Sequence, residues 1–536
     1  MTSRRLAAAL AAGVLLNTIL GGTVSASSQQ KAAAAAGGPS STARAGVDDE
    51  PWPRTITSAD TTLTIYQPQI EAFDGFTTRA TAAVSVARTG RDAQVFGIVS
   101  VTGRTLIDKV ARLVTFDNMQ VVSVSFPSAP PDAAAYEALI RRTVADRTKV
   151  FSLDRLEASL ELEAAKDGAA SLPLNNDPPA ILFSQVPAML VYVDGAPVYQ
   201  AVKGTQLQRV INTRPLVLKE PAGTHYVRVF DGWLQASALP GPWTVAKAPS
   251  RDLDAALKDA VQSGVVDLLT GKSGEDDPEN PPPSLKRGQA PVLYVVTEPT
   301  ELVVTDGAPN YAPLGSTRLL SVTNTTGHVF RYLGDQQIYV LTAGRWFRGP
   351  SERGPWAFVA NDALPADFAN IPDDSPKENV KASVAGTPQA QEALIANGIP
   401  QTAEVAIAEA KLTPPKFDGE PKLAPIETTT LQYVLNSSTP IIMADASHYY
   451  AVENGTWFVA PAVTGPWVVA TSVPAAIYTI PPSSPLHYVT YVRVYYATPT
   501  TVYVGYTPGY HGTCVSHGVV VFGTGYRYTP WVHTLW

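Results

Sequence analysis

Apolar and polar residues alternate in short runs along most of this 536-residue chain, and turn-forming residues separate the runs. In the first part of the chain, four such runs are rich in valine, alanine and threonine: Leu63–Tyr66, Ala80–Val86, Val95–Val101 and Val121–Phe126. Runs of this length and composition predict strands, and Asp74-Gly75 and Asp117-Asn118 predict turns.

The pattern changes after Pro130-Pro131, where Tyr136, Leu139, Ile140 and Val144 follow the spacing of one helix face. Further on, Leu156 and Leu160 alternate with charged or polar neighbours, which predicts a half-buried strand. Together these elements predict an α+β domain over residues 48–167.

The same pattern then occurs three times. Asp194-Gly195-x-Pro recurs at Asp306 and Asp418, and Leu-x-x-Val-x-Asn recurs with its asparagine at Asn212, Asn324 and Asn436, at intervals of 112 residues. Asp-Gly predicts a tight hairpin, and asparagine followed by threonine or serine favours a turn. We therefore interpret these aspartates and asparagines as structural anchors of a repeated unit.

Tryptophan follows the same repeat. Each unit contains a pair about ten residues apart whose second member follows Gly-Pro: Trp233 and Trp243, Trp346 and Trp356, Trp457 and Trp467. Burial of a large aromatic ring stabilises a small core, so the hypothesis for Trp233, Trp243, Trp356 and Trp467 is a structural one.

The repeat divides the chain into segments. We predict β units at 179–249, 291–372 and 403–482, a helix with a proline-rich linker at 250–290, a helical linker at 373–402, and an aromatic β segment at 483–536. The predicted class is mainly β, an α+β domain followed by three tandem tryptophan-anchored β units. Compound blades resembling a β-propeller are the alternative.

Composition indicates export. Arg4-Arg5, the apolar stretch Leu6–Leu20 and Val24-Ser25-Ala26 predict a signal peptide over residues 1–26, and an alanine- and serine-rich leader at 27–47 is predicted to be disordered. Later segments are too short or too polar for a membrane helix. We expect a periplasmic, cell-surface or extracellular protein, and a net charge of −7 gives no basic footprint for nucleic acid.

Candidate catalytic chemistry is sparse. No nucleophile elbow, zinc helix or repeated carboxylate pair is present, so we predict no enzyme and no cofactor, with a glycan hydrolase as the remote alternative. His511, Cys514 and His517 have metal-ligand side chains, but they lack the paired elements typical of zinc sites, so we predict no metal.

Aromatic residues are the better ligand candidates, because flat rings attract the weakly positive C–H faces of sugars. An array also multiplies weak contacts. The residues that we single out for an exposed platform are Tyr311, Tyr339, Tyr449, Tyr450, Trp346 and Trp457.

Three stretches carry a resemblance: Gly-x-Trp-Phe with Gly-Pro-Trp and Ile-Pro, the run at 484–493, and Gly505–Tyr510. They resemble a family of long exported bacterial proteins of unknown role, often labelled as similar to carbohydrate-binding families V/XII. The resemblance implies non-catalytic binding of polysaccharide or another envelope component. The alternative is an envelope structural or assembly protein whose repeats contact proteins, including copies of itself.

Overall fold

A computed structural model describes residues 52–526 except 59, 91–93, 145–147, 154–155, 158, 161–172, 265, 272–280 and 418–419. The predicted signal peptide, the leader and Asp418 lie outside the described residues. The chain divides into two compact units. In the described part, one unit combines residues 52–175 with 381–526, and we call it the split unit; the other, residues 176–380, is the continuous unit.

The split unit begins with an antiparallel sheet of order β1-β2-β4-β5-β6-β7, in which β3 pairs with β4. Its elements are β1 (Arg54–Ser58), β2 (Thr61–Ile65), β3 (Gln69–Phe73), β4 (Thr77–Arg88), β5 (Val95–Asp108), β6 (Leu113–Ser125), α1 (Ala133–Val144) and β7 (Lys149–Ser152). Tyr136 and Ile140 of α1 pack on one apolar face of this sheet, beside Leu63 and Val84. The predicted helix face and the four predicted strands are confirmed.

Two local predictions in this domain are wrong. Asp117-Asn118 forms no turn but lies within β6, where the register with β5 shifts and Asn118 has a φ of 50°. The described residues of 153–160 are helical. Leucine, alanine and glutamate favour helix, and Leu153, Leu156 and Leu160 lie in one apolar cluster, a spacing that alternation concealed.

The continuous unit contains two six-stranded antiparallel sheets in which each strand pairs with the next along the chain. Two strands precede each sheet, and we call such a pair an arm. The first repeat has β8 (Ala180–Ser184), β9 (Ala188–Tyr192), β10 (Tyr199–Ala201), β11 (Gln208–Val210), β12 (Val217–Lys219), β13 (His225–Val229), β14 (Gly232–Ala236), β15 (Thr244–Val245) and α2 (Arg251–Ser263).

The second repeat follows the same order. Its elements are β16 (Val292–Val296), β17 (Thr300–Val304), β18 (Tyr311–Pro313), β19 (Leu319–Val322), β20 (His328–Tyr332), β21 (Ile338–Thr342), β22 (Arg345–Gly349) and β23 (Ala357–Val359). Short 3₁₀ turns lie at Leu285–Arg287, Ala366–Phe368 and Glu378–Ser383. The helix predicted between the first two repeats is α2, with Leu253, Ala256 and Ala260 buried.

The arms of the two repeats exchange strands. β8 pairs in parallel with β17, and β9 pairs in parallel with β16. In register, Ala180 lies opposite Thr300 and Ala188 opposite Val292. By the 112-residue interval, Ala180 corresponds to Val292 and Ala188 corresponds to Thr300. Each alanine therefore pairs with the counterpart of the other, eight residues away from its own counterpart. An exchange of this kind relates the two repeats by an approximate twofold axis.

Each sheet of the continuous unit therefore has one face covered by an exchanged pair. β9 and β16 contribute Val191 and Val295 to the core of the first sheet, and β8 and β17 contribute Ile181 and Val303 to that of the second. We call this side the arm face. Because each arm face is completed by a strand from the other repeat, segments 179–249 and 291–372 are not separate modules.

The split unit resumes with a third six-stranded sheet. Its elements are α3 (Pro388–Asn397), β24 (Gln401–Ala406), β25 (Leu423–Pro425), β26 (Gln432–Val434), β27 (Ile441–Asp445), β28 (His448–Glu453), β29 (Thr456–Ala460), β30 (Val468–Val469), β31 (Val492–Ala497), β32 (Thr501–Tyr506), β33 (Thr513–Ser516) and β34 (Val519–Phe522), with 3₁₀ turns at Ala475–Thr479, His487–Tyr491 and Pro508–His511. The predicted second linker helix is α3.

The arm of the third sheet is built differently. Pro414 and Pro415 stand where Leu302 and Val303 stand in the second repeat, and proline cannot donate to a strand ladder. An antiparallel sheet of order β24-β32-β31 is present instead, and β32 packs Val502 and Val504 on the third sheet. The predicted mainly β class is confirmed.

Candidate functional site

The repeated asparagines hold the turn that opens each sheet. Asn212 accepts a hydrogen bond from the Val198 amide at 2.9 Å and donates to the carbonyl oxygens of Asp194 and Ala196 at 2.9 and 2.8 Å. Gly195 in this turn has a φ of 76°, which suits glycine. The side chain of Asn212 thus ties β10 and β11 to the turn that precedes them.

The same contacts recur in the other repeats. Asn324 accepts from the Asn310 amide at 2.8 Å and donates to Asp306 and Ala308 at 2.7 and 2.8 Å. Asn436 accepts from the Lys422 amide and donates to Glu420, both at 2.8 Å. We call this arrangement the asparagine clamp. Its hydrogen bonds give the repeated asparagines a structural role.

The first tryptophan of each pair is buried. Trp233 is 3% exposed, and Trp346 and Trp457 are 0% exposed. Trp346 contacts Phe330 and Phe368, with ring centroids 5.7 and 4.8 Å apart. We call Trp233, Trp346 and Trp457 the core rings. The prediction that Trp346 and Trp457 form an exposed platform is not met, because neither ring has a face open to solvent.

Two of the predicted tyrosines are buried as well. Tyr339 is 1% and Tyr450 8% exposed. The Tyr339 hydroxyl donates to the Asp335 carboxylate at 2.8 Å, and burial together with that carboxylate raises the pKa of Tyr339 to about 12. Tyr311 and Tyr449 are half-buried. Of the predicted platform residues, these two are the ones that are not buried.

The second tryptophan of each pair is the half-buried one. Trp243, Trp356 and Trp467 each follow a cis Gly-Pro bond, and the glycine before it has a positive φ in all three repeats. We call these three residues the rim rings. In each, the indole Nε1 atom is buried without a hydrogen-bond partner. Any ring surface that reaches solvent therefore excludes this donor and consists of carbon atoms.

Local packing explains the Gly-Pro-Trp motif. A Cβ atom added to Gly241, Gly354 or Gly465 would lie 2.8 to 2.9 Å from the indole Cδ1 of the tryptophan two residues later. Only glycine combines the left-handed backbone with this close approach. The motif thus positions one edge of the indole against the backbone. Trp243 and Trp356 also pack on the core beneath the arm face of their own sheets, and Trp467 packs on the core that its sheet shares with β32.

Other aromatic side chains surround the rim rings. Phe183 stacks on Trp356 with ring centroids 6.1 Å apart and an interplanar angle of 14°. Tyr311 packs on the same core as Trp356, and Tyr449 packs on the same core as Trp467. These contacts leave an aromatic, half-buried surface around a rim ring in the second and third repeats.

In the first repeat a tyrosine at the equivalent of Tyr311 has polar neighbours. The Tyr199 hydroxyl lies 3.0 Å from Nε2 of His225, and Lys219 Nζ lies 4.8 Å from the centre of the Tyr199 ring. Burial, followed by the Lys219 charge, lowers the pKa of His225. A neutral His225 can exchange a hydrogen bond with Tyr199 near neutral pH.

The weak metal candidates do not converge. Cys514 is buried in β33, His511 is half-buried against Tyr506 and Tyr510, and His517 is exposed at the turn before β34. Across the described residues, no three side chains of histidine, cysteine, aspartate or glutamate are grouped to hold a metal ion. The Cys514 thiol belongs to an apolar core cluster with Ala390, Val519 and Val521.

One cluster has the residue types of a hydrolase without the geometry. Ser447 Oγ lies 3.2 Å and the Asp445 carboxylate 2.8 Å from the same nitrogen, Nδ1 of His448, on an exposed turn. A nucleophile relay places the serine and the aspartate on opposite nitrogens of the imidazole ring. The cluster acts as a hydrogen-bonded turn between β27 and β28.

Comparison with protein-family models, curated proteins and solved structures finds no match to this chain. Among the helices that the structure describes, none has the length and hydrophobicity needed to span a bilayer.

In the second and third pairs, the sequence pattern singled out the first tryptophan, Trp346 or Trp457, for an exposed platform, whereas the structure buries the first ring and leaves the second half-buried. Trp346 lies between a charged residue, Arg345, and an apolar one, Phe347, so the pattern gave no indication of which ring faces the core. A signal was present in Gly-Pro before Trp356, since glycine and proline mark a turn near the end of a sheet, where a ring is less completely covered.

Proposed function

We propose that this is an exported, non-catalytic protein of the cell envelope that binds polysaccharide through its three rim rings. One observation carries the proposal: Trp243, Trp356 and Trp467 occupy equivalent turns of three sheets and are half-buried, whereas the core rings are covered. The proposal also includes the occurrence of three six-stranded sheets of the same strand order along the chain.

The chemistry of the rim rings suits a sugar. Because Nε1 is buried, each ring offers a carbon surface that can accept the C–H face of a pyranose, and it offers no directional hydrogen bond. Nearby polar groups, such as the Tyr199 hydroxyl with Lys219, can contact sugar hydroxyl groups. A single contact of this kind is weak, and multiplicity makes it effective.

Retention on insoluble chitin, cellulose and peptidoglycan tests the proposal. The full chain is compared with a triple variant, Trp243→Ala, Trp356→Ala and Trp467→Ala. The matched control is Val261→Ala, Leu333→Ala and Leu435→Ala, which removes one exposed apolar side chain from each repeat or the helix that follows it. We expect retention on at least one material, a roughly hundredfold loss in the rim variant, and no loss in the control.

Two results would contradict the proposal. Absence of retention on all three materials would remove polysaccharide as the ligand class, and concentration-dependent self-assembly of the same samples would then favour the structural alternative. Equal retention of the rim variant and the control would show that binding does not use the rim rings.

A further inference from the structure

The continuous unit has a symmetry that decides how two rim rings can meet a ligand. By the repeat interval, β8 corresponds to β16 and β9 corresponds to β17. If each strand is replaced by its counterpart in the other repeat, the pair β8 with β17 becomes the pair β16 with β9, which is also observed. The apolar contacts follow the same correspondence, since Val191 and Val295 on the first sheet correspond to Val303 and Phe183 on the second.

The rim rings of these repeats occupy corresponding positions. Trp243 follows a cis Gly-Pro bond just before β15, and Trp356 follows one just before β23. β15 pairs with β14, and β23 pairs with β22, at the equivalent edge of each sheet. The approximate twofold axis therefore relates Trp243 to Trp356.

Twofold symmetry imposes a geometric condition on any ligand that spans both rings. The line joining two points related by a twofold axis is perpendicular to that axis, so the rotation reverses its direction. A polysaccharide strand has a direction, from its reducing to its non-reducing end. One straight strand across Trp243 and Trp356 would present opposite polarity to two equivalent sites.

We propose that the continuous unit bridges two polysaccharide strands, one on Trp243 and one on Trp356. This inference rests on the proposed function. Modules related by simple translation would align on one strand and add their affinities. The strand exchange between the arms replaces translation by rotation, so the two rings bind separate strands and connect them.

Clustering of stiff particles distinguishes bridging from binding. Chitin and cellulose nanocrystals are mixed with a Trp467→Ala chain, which leaves only the two rim rings of the continuous unit. Further variants add Trp243→Ala or Trp356→Ala, and the control adds Leu333→Ala. Retention is measured by sedimentation and clustering by light scattering, at equal amounts of bound protein.

We expect the Trp467→Ala chain and its control to cluster the particles, and each single-ring variant to bind without clustering. On soluble, isolated strands, loss of one ring should weaken binding about twofold, because the rings act separately. If both rings used one strand, the loss would be roughly hundredfold or more.

Clustering that persists in the single-ring variants would overturn the bridging inference, as would a hundredfold loss of affinity on isolated strands. In either case retention persists and the proposed function stands. Absence of retention in every variant, including the unmodified chain, would overturn the proposed function and the bridging inference together.

Discussion

The asparagine clamp makes a prediction that separates side-chain geometry from turn propensity. Asn324→Ala removes three hydrogen bonds, one accepted from Asn310 and two donated to Asp306 and Ala308. Each such bond contributes about 0.5–1.5 kcal/mol net. Because the clamp is close to solvent, we take the lower half of that range and expect a loss of about 2 kcal/mol.

Asn324→Asp is the sharper variant. Aspartate forms turns as readily as asparagine, so a turn-propensity role predicts almost no effect. In the clamp, however, the Asn324 amide nitrogen donates to two carbonyl oxygens, and aspartate would place a carboxylate oxygen, which can only accept, against both of them. We therefore expect Asn324→Asp to destabilise the protein at least as much as Asn324→Ala does.

Calorimetry of the full chain measures both variants. For a unit of the size of residues 176–380, 1 kcal/mol corresponds to roughly 2–4 °C, so the transition of the continuous unit should fall by about 4–8 °C. Asn436→Ala is the internal control, because its clamp belongs to the split unit and should shift that unit's transition. A Tm of Asn324→Asp within about 1 °C of the unmodified chain would refute the clamp.

Three further outcomes are expected. Trp346→Ala should lower the free energy of unfolding in urea by about 3–5 kcal/mol, because its ring is fully buried against Phe330 and Phe368. Trp356→Ala should lower it clearly less, and equal losses would contradict the distinction between core and rim rings. Gly354→Ala should destabilise the chain more than Gly307→Ala, since both glycines have positive φ but only the first would push a Cβ against an indole; melting curves that fall together would show that backbone conformation alone matters. Burial lowers the pKa of His487 below its ordinary value of 6.5, so the unfolded chain binds a proton more readily than the folded chain does. The contribution of the neutral histidine to stability is therefore complete above pH 6.5 and should decrease as the pH falls through that value. His487→Asn should flatten the dependence of the urea midpoint on pH, and an unchanged dependence would argue against this histidine.

Sequence patterns predicted the elements better than their assembly. The helix with Tyr136 and Ile140 and the two linker helices follow from periodicity, since local propensity and burial agree there. Around 153–160, leucines satisfy both a strand period and a helix period, and helix propensity decided the outcome. The repeated asparagines were recognised as structural anchors, but their three hydrogen bonds depend on distances that only the folded turn defines.

The strand exchange lay beyond sequence reasoning for a physical reason. Val191 and Val303 read as buried strand residues whichever partner they pair with, so a repeated pattern fits a translated array and a rotated pair equally well. Pro414 and Pro415 interrupt the third arm, yet their meaning becomes clear only once the partner strands of the first two arms are known.

The most direct test of the account follows the tryptophans themselves while a ligand is added. The nine tryptophans of the chain can be labelled with 5-fluorotryptophan, and ¹⁹F resonances assigned by single Trp→Phe variants. Oligosaccharides of chitin, cellulose and peptidoglycan are then titrated in turn. If the rim rings bind polysaccharide, at least one of these oligosaccharides shifts the resonances of Trp243, Trp356 and Trp467 and leaves those of the core rings Trp233, Trp346 and Trp457 unchanged. Unshifted rim resonances with all three, in a protein that the insoluble material retains, would contradict binding through the rim rings.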